Sequence, residues 1–344
     1  MKVAIVGGGL AGCAAAYVLA ENGHEVVLYE AGDHLASEAS GNSVGLYNPR
    51  FGAEWSPQSQ YYAYAFESAL EVFSQLDDID FDPCGALHLM HDEKKQRRFP
   101  KTVASWPWGE DMMRIVGPQE ASEIARVEIS HDCLFLPRSG SVNPRKLCYA
   151  YTRHPNVDVR LNVSILSVDD LKADAVVLAA GRAMQAFDCL RDLDLRAVRG
   201  QVSYIKSNAL SEQIQCHLCY GGYASRAIEG RHVVGATFQR WLDHSERIEA
   251  DNSDNLGKLY DHIPSFPKGL ECVEDWVGVR CTSKDHFPVV GALEDGVYVT
   301  TAHGSHGVLS SLAAANVLVG MMTGQDQSFA DEVIYALSPA RLKG

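Results

Sequence analysis

The pattern of apolar and small residues at the start of the chain predicts a strand, a turn, a helix and a second strand. Residues 3–6 are an apolar run typical of a buried parallel strand, and residues 25–29 form a second one. Between them, the Ala-rich stretch 10–22 predicts a helix that ends at Gly23, a residue common just after helices. This order of elements is typical of an α/β nucleotide-binding fold.

The turn between the first strand and the helix has the glycine spacing of a dinucleotide site. Gly7 permits the tight turn, Gly9 lets a pyrophosphate approach the backbone, and Gly12 lets the helix pack on the strand. Glu30 lies 18 residues after Gly12, where an acidic side chain binds a ribose hydroxyl. The complete unit predicts that this end of the chain binds FAD or NAD.

Two more strand-and-turn segments lie far along the chain, at residues 173–181 and 296–304, and a predicted helix follows at about 307–323. We expect their strands to join the same parallel sheet. The predicted fold is therefore α/β, with a Rossmann-type FAD-binding domain assembled from discontinuous segments. These segments are residues 1–52, 139–197 and 275–344.

The intervening ranges, 53–138 and 198–274, predict an inserted, strand-rich α+β domain that binds substrate. Short β-type runs occur in them at residues 85–90, 200–205 and 232–238. A return to the nucleotide fold at the end of the chain favours flavin over nicotinamide, since nicotinamide enzymes generally complete that fold contiguously. The glycine-rich start of the last helix would also favour negative charge on a reduced flavin.

Composition and charge limit the other possibilities. The 344 residues predict about two domains, and no apolar run approaches the roughly 18 residues of a membrane span, so we expect a soluble, cytoplasmic protein without membrane contact. The net charge of −14 disfavours general affinity for nucleic acids. Cys216 and Cys219 have C-x-x-C spacing but no second pair, so we expect no metal site.

Several motifs together resemble the D-amino-acid oxidase and glycine oxidase superfamily of FAD enzymes. They are the glycine turn with Glu30 and the segments 198–201, 235–237 and 278–291. Within that superfamily, further stretches are similar to the oxidoreductase half of the MnmC family, bifunctional enzymes that finish the wobble uridine of certain tRNAs. These stretches lie at residues 39–42, 45–47 and 49, at 84–85 and 92–94, at 198–203 and 218–223, and at 278–281 and 285–286.

The resemblance implies oxidation of an N-substituted glycine, here 5-carboxymethylaminomethyl(-2-thio)uridine in tRNA, to 5-aminomethyluridine and glyoxylate. It assigns Arg280 to the substrate carboxylate, for which a guanidinium offers two parallel donors. Each of the three candidate residues also has a purely structural alternative. Arg280 could form an ion pair, Tyr223 could serve packing, and His306 could be a buried, hydrogen-bonded ring. The resemblance places Tyr223 against the substrate, and the near-neutral pKa of histidine lets His306 tune the flavin or the amine.

The cofactor implied by the resemblance is FAD, held non-covalently because no cysteine matches an attachment position. Beyond the glycine turn and Glu30, the residues expected at FAD are Ser40, Asn42, Ile165, Ala180, Gly181, Gly304, Ser305, Gly307 and Val308.

A tRNA partner needs a local basic surface on so acidic a chain. Lys94, Lys95, Arg97 and Arg98 form the main basic cluster, and Trp106 and Trp108 follow it as candidates for stacking on a base. Two departures from the MnmC pattern are His306, where an arginine is expected, and the start of the chain at the FAD fingerprint. We therefore expect a stand-alone oxidoreductase whose product goes to a separate methyltransferase.

Two alternatives remain open from the sequence. One is an oxidase or dehydrogenase of a free small amino acid such as glycine, sarcosine or a D-amino acid, which needs a closed pocket. The other is a flavin-bearing subunit without turnover of its own. An enzyme acting on tRNA needs a wide mouth with a basic rim.

Overall fold

The computed structural model describes residues 1–325 and 329–342. Its strands are β1 (Lys2–Val6), β2 (Glu25–Tyr29), β3 (Gly45–Leu46), β4 (Ala86–Leu89), β5 (Arg114–Val116), β6 (Cys133–Leu136), β7 (Ser141–Val142), β8 (Val157–Arg160), β9 (Ala175–Leu178), β10 (Leu195–Lys206), β11 (His217–Cys219), β12 (Tyr223–Ala224), β13 (Arg231–Gly235), β14 (Cys272–Ser283), β15 (Val289–Glu294) and β16 (Val297–Thr301). Its α-helices are α1 (Leu10–Glu21), α2 (Pro57–Phe73), α3 (Glu93–Ser105), α4 (Pro118–Ala125), α5 (Pro144–Tyr151), α6 (Glu249–His262), α7 (Gly307–Thr323) and α8 (Asp331–Leu337).

A six-stranded sheet in the order β15-β16-β9-β1-β2-β8 forms the nucleotide-binding half. β1 pairs in parallel with both β2 and β9, and β16 adds to β9 in the same direction. Thus strands from the beginning, the middle and the end of the chain share one sheet, which confirms the predicted discontinuous assembly. β15 is the exception, because it runs antiparallel to β16 at the edge.

Helices α1 and α7 pack against each other beside this sheet. Most residues of both helices are buried, as expected from their many alanines and other apolar side chains. Among the described residues, no helix combines the length and the apolar character that crossing a membrane requires. The two helices bring their N-terminal ends, each beginning in a glycine-containing turn, to the edge of the sheet where the candidate site lies.

The second layer is an eight-stranded, mostly antiparallel sheet in the order β14-β10-β13-β12-β11-β4-β6-β5. β10 and β14 form its longest ladder, which runs from the Leu195–Ser283 pair to the Ile205–Cys272 pair with one irregularity. Because side chains alternate along each strand, residues of this ladder point in turn to α6 or to the cavity between the sheets. That alternation positions the candidate catalytic arginine.

The predicted domain division remains a proposal. Apart from β10 and β14, which cross the boundaries near residues 197 and 275, the strands of each large sheet come from the ranges expected for that domain. α2 belongs by sequence to the inserted range yet packs on α7, where the Tyr61 hydroxyl donates to the Ser310 carbonyl oxygen at 2.6 Å. The last predicted range also includes residues 326–328 and 343–344, which lie outside the described part.

Candidate active site

A cavity of about 1110 Å³ opens between the two large sheets. One wall is the glycine turn after β1 with the start of α7, and the opposite wall comes from β10, β14 and the segment around β12. Every predicted catalytic or cofactor residue except Gly12 contributes to its lining. The lining thus includes Gly7, Gly9, Glu30, Ser40, Asn42, Ile165, Ala180, Gly181, Tyr223, Arg280, Gly304, Ser305, His306, Gly307 and Val308.

The glycine turn explains why Gly12 is separate. A Cβ at Gly12 would lie 1.9 Å from the carbonyl oxygen of Gly7, so this glycine lets α1 pack behind the turn and does not face the cavity. Gly7 has a φ of +113°, and a Cβ there would lie 2.5 Å from the carbonyl oxygen of Ala179. The two glycines therefore serve the turn and the packing roles that their spacing predicts.

Glu30 stands at the end of β2 with its carboxylate held by backbone amides. Gly8 N donates to Oε2 at 2.6 Å and Gly32 N donates to Oε1 at 2.7 Å. Nearby, the Ser40 hydroxyl accepts from Leu10 N at 3.1 Å, at the first turn of α1. These contacts fix an acidic group and a hydroxyl on the wall beside the helix N-terminus.

This wall fits an extended dinucleotide. Free N–H groups at the start of α1 and a close backbone approach suit a pyrophosphate, and the fixed carboxylate of Glu30 suits ribose hydroxyls. The cavity volume also exceeds the roughly 300–1,000 Å³ of ordinary small-ligand pockets. FAD would be held by the turn, by Glu30 and Ser40, and by the segment that precedes α7.

Arg280 lies on β14 opposite Val198 and reaches the cavity. Its Nη1 is buried and has no hydrogen-bond partner within the described residues. Gly200 makes the room, since a Cβ there would lie 2.0 Å from Nη1. Burial lowers the pKa of the guanidinium from its usual value. A buried cation without a partner is costly, so this position calls for an anionic ligand.

Tyr223 lines the same cavity, but protein groups engage its hydroxyl. Tyr223 Oη donates to the Val44 carbonyl oxygen at 3.2 Å and accepts from Asn42 Nδ2 at 3.1 Å. Asn42 Oδ1 in turn accepts from the Tyr204 hydroxyl at 3.2 Å. Burial raises the pKa of Tyr223, so the phenol is neutral at physiological pH. The arrangement makes a rigid, uncharged wall near Arg280.

His306 immediately precedes α7. Its Nδ1 lies 3.1 Å from the Asn48 carbonyl oxygen, and because a carbonyl accepts, Nδ1 carries the proton and Nε2 keeps a lone pair. Burial lowers the pKa of His306 to about 4, so the ring is neutral near pH 7. The histidine therefore adds no charge to this part of the cavity wall near pH 7.

The predicted basic cluster on α3 divides between the surface and the cavity. Lys94 and Arg97 are exposed, and Arg97 pairs with Glu93 at 2.7 Å. Lys95 and Arg98 line the cavity, and Arg98 Nε is buried without a hydrogen-bond partner among the described residues. The cluster thus extends from the outer surface into the cavity.

The suggested base-stacking role of Trp106 is wrong. Its side chain is 4% exposed and packs against Phe51 and Trp55. Trp108 is partly buried, and its Nε1 donates to Glu67 at 2.6 Å. Proximity in sequence to basic residues suggested an exposed position that Trp106 does not have, and the stacking role of Trp108 stays a prediction.

Sequence reasoning missed Arg50 and His88, which also line the cavity. Arg50 Nη1 donates to the carbonyl oxygens of Asp285 and His286, at 3.1 and 2.7 Å. His88 is partly buried on β4, and desolvation by its neighbours lowers its pKa to about 3. Neither lies in a motif, and both reach the site through contacts between distant parts of the chain.

Asp82, Cys84 and His217 are a group whose potential metal-ligating atoms lie within 4.8 Å of one another. Arg226 already serves two of them, since its Nε donates to Asp82 at 2.6 Å and its backbone N donates to His217 Nδ1 at 3.2 Å. This group includes neither cysteine of the C-x-x-C pair. The expected lack of a metal site stays a prediction.

Comparison with known protein families agrees with a cavity that fits FAD. Residues 2–321 match the family model described as FAD dependent oxidoreductase, so the chain belongs to this family. It is accordingly an FAD-dependent oxidoreductase.

Among curated proteins, the chain is similar to the tRNA 5-methylaminomethyl-2-thiouridine biosynthesis bifunctional protein MnmC of Hahella chejuensis. The identity is 30% over 372 aligned positions, covering 99% of this chain and 59% of that protein. The protein of the same name from Chromobacterium violaceum is also 30% identical, over 98% of this chain and 58% of its own length. The chain thus spans about three fifths of the curated relatives it matches.

Solved structures show the same fold. Glycine oxidase from Geobacillus kaustophilus superposes with a TM-score of 0.84 at 20% identity, covering 100% of both chains. Iminodiacetate oxidase from Chelativorans sp. BNC1 gives a TM-score of 0.80 at 19% identity, covering 98% of both chains. At these identities the likeness concerns the fold.

Proposed function

We propose that the chain oxidises the glycine-like C–N bond of 5-carboxymethylaminomethyl(-2-thio)uridine in tRNA, giving 5-aminomethyluridine and glyoxylate. The observation that carries this proposal is the buried Nη1 of Arg280, which has no hydrogen-bond partner among the described residues and lies in a cavity that fits FAD. The names of the curated relatives support the tRNA substrate.

Arg280 is the proposed carboxylate anchor. A carboxylate accepts two parallel N–H bonds from one guanidinium, which fixes both the position and the rotation of an N-substituted glycine. This fixed orientation lowers the activation free energy because the reacting carbon is already positioned for the reaction when the substrate binds. The neutral wall of Tyr223 and Asn42 leaves the carboxylate without a competing cation on that side.

The chemistry needs a two-electron acceptor, which FAD supplies when bound, non-covalently as we propose. The carbon between nitrogen and carboxylate loses two electrons and a proton, and the amine nitrogen loses its own proton, to give an imine. Water adds to that imine, and cleavage of the C–N bond releases glyoxylate and the aminomethyl group. The neutral His306, with its Nε2 lone pair, is the proposed acceptor of a hydrogen bond from the substrate amine.

A second cationic wall supports a substrate larger than an amino acid. Arg50 and Arg98 line the cavity in addition to Arg280, and a free glycine offers one carboxylate only. A nucleotide brings a phosphate as a second anion. We therefore propose that Lys94, Lys95, Arg97 and Arg98 grip the tRNA, with the phosphate nearest the modified uridine directed toward Arg98.

The primary amine left on the tRNA is a suitable acceptor for methylation. We propose that a methyltransferase acts on this product. The name of the curated relatives, bifunctional proteins of 5-methylaminomethyl-2-thiouridine biosynthesis, supports this step because that nucleoside carries a methylated amine.

The test is anaerobic reduction of the enzyme-bound flavin, followed by its absorbance. Rapid bleaching is expected with tRNA that carries 5-carboxymethylaminomethyluridine, and none with the same tRNA lacking the modification. Glyoxylate released in the reaction is trapped and quantified as the product check. Fast reduction by free glycine or sarcosine, with no reduction by the modified tRNA, would establish an amino-acid oxidase in its place.

A further inference from the structure

The segment that follows β13 carries two exposed aromatic side chains. Phe238 is 43% exposed and Trp241 is 76% exposed. Phe238 also belongs to the cavity lining, and Trp241 lies three residues further along the chain. Exposing two large aromatic rings to water is unfavourable, which suggests that a ligand covers them.

A buried network holds this segment in place. The backbone N and O of Gln239 both pair with Arg199, at 2.9 and 3.1 Å. The Arg199 guanidinium is fully buried, is paired with Asp251, and donates to the Glu246 carbonyl oxygen at 2.6 Å. The backbone of the segment is thus fixed before and after Trp241. Binding a ligand there therefore costs little backbone conformational entropy.

Cationic groups extend from this segment toward the interior. The Arg240 guanidinium lies 5.3 Å from the centre of the Phe238 ring, and its Nη2 is 3.2 Å from His286 Nε2. The carbonyl oxygen of His286 accepts from Arg50 on the cavity wall. Aromatic faces therefore stand beside a cation at the entrance.

This combination favours one class of ligand. Unpaired nucleobases stack on aromatic rings and on guanidinium planes, and their phosphates pair with arginine. A protein partner generally needs a broader apolar surface than two rings provide. We propose that Phe238, Arg240 and Trp241 form a stacking platform for an unpaired base of the RNA next to the uridine being oxidised.

This inference rests on the proposed function and adds a site that holds the RNA loop in which the modified uridine lies. The test measures binding of a fluorescently labelled anticodon stem–loop RNA to the FAD-loaded protein by anisotropy. Trp241→Ala and Phe238→Ala are each expected to weaken binding by about 5- to 100-fold, the usual range for loss of one stacked base. Trp241→Phe keeps an aromatic face and is expected to retain most of the affinity.

Tyr335→Ala is the matched control, because Tyr335 is 66% exposed on α8 and does not line the cavity. It is expected to bind like the wild type. If the wild type binds the RNA and both platform variants bind equally well, the platform is refuted and the proposed function stands. If the wild type does not bind the RNA at all, both are refuted. If Trp241→Ala changes the sedimentation mass but not RNA affinity, the surface is a contact between copies of the chain, which also refutes the platform.

Discussion

Replacing Arg280 with methionine separates a functional arginine from a structural one. The chain supplies a comparison in Arg199, which is fully buried and is paired with Asp251. Methionine retains an unbranched side chain of similar length and removes the charge. We expect Arg280→Met to lose activity without losing stability, and Arg199→Met to lose stability.

The magnitudes follow from the partners of each guanidinium. Truncating one member of a buried charge-assisted contact costs about 2–5 kcal/mol when the other member stays buried. Applied to a carboxylate bound by Arg280, this cost lowers kcat/KM by roughly 30- to 5,000-fold. Without substrate, Arg280 Nη1 has no partner among the described residues, so its removal breaks no hydrogen bond of that atom and the folded state is expected to gain stability.

Arg199→Met leaves the carboxylate of Asp251 buried without its cation. Breaking a buried pair in this way costs about 3–5 kcal/mol. The contacts from Arg199 to Gln201 and to the Glu246 carbonyl oxygen are lost as well. We therefore expect a clear fall in the thermal midpoint of the FAD-loaded protein.

The assay pairs thermal unfolding, followed by flavin fluorescence, with anaerobic reduction by modified tRNA at limiting concentration. Both variants are first checked for the flavin spectrum, so that loss of FAD is not mistaken for loss of substrate binding. Unchanged flavin reduction in Arg280→Met would refute the carboxylate role. A large fall in the thermal midpoint of this variant would show that its guanidinium stabilises the fold.

Three further predictions concern packing and pH. Gly200→Ala displaces the Arg280 guanidinium, because the added Cβ would lie 2.0 Å from Nη1. FAD is expected to stay bound while kcat/KM falls roughly 100-fold, since a small misplacement of a binding group has an effect of this size. Unchanged kinetics would contradict this prediction. The folded-state pKa values of about 3 for His88 and about 4 for His306 lie below the ordinary 6.5, so the unfolded chain binds more protons between those limits. The stability contributed by these two residues is therefore full above pH 6.5 and falls toward pH 4. A thermal midpoint that stays flat from pH 7 to 4.5 would contradict this prediction. Gly12→Ala places a Cβ 1.9 Å from a carbonyl oxygen of the turn, so the purified variant is expected to lack FAD, and a normal flavin content would refute that packing role.

Local patterns predicted the nucleotide-binding half well. The strand at residues 25–29 and the helix at 307–323 coincide with β2 and α7 because each is an apolar run bounded by residues that stop it. The place of residues 173–181 and 296–304 in the same parallel sheet was also predictable, since short buried strands with small-residue turns suit that sheet. These features depend on the general apolar character of each segment and little on which particular residues it contacts.

Features set by distant contacts could not be predicted in this way. Arg50 reaches the cavity because it donates to a carbonyl oxygen at residue 286, and no local pattern encodes that pairing. The division of the α3 cluster depends on which helix face packs inward, and the burial of Phe99 decides it by turning Lys95 and Arg98 toward the cavity. The exposure of Trp241 likewise depends on the network around Arg199.

The two arginines of the long ladder show how strand alternation creates the site. Arg199 is registered opposite Val279 and Arg280 opposite Val198, so their side chains leave opposite faces of the sheet. On the α6 face, acidic and amide groups satisfy Arg199 completely, and that face is structural. On the cavity face, Gly200 leaves space and no described residue pairs with Arg280 Nη1. Arg199 and the Nη1 of Arg280 are both buried, and the missing partner is what marks Arg280 as the group that awaits a ligand.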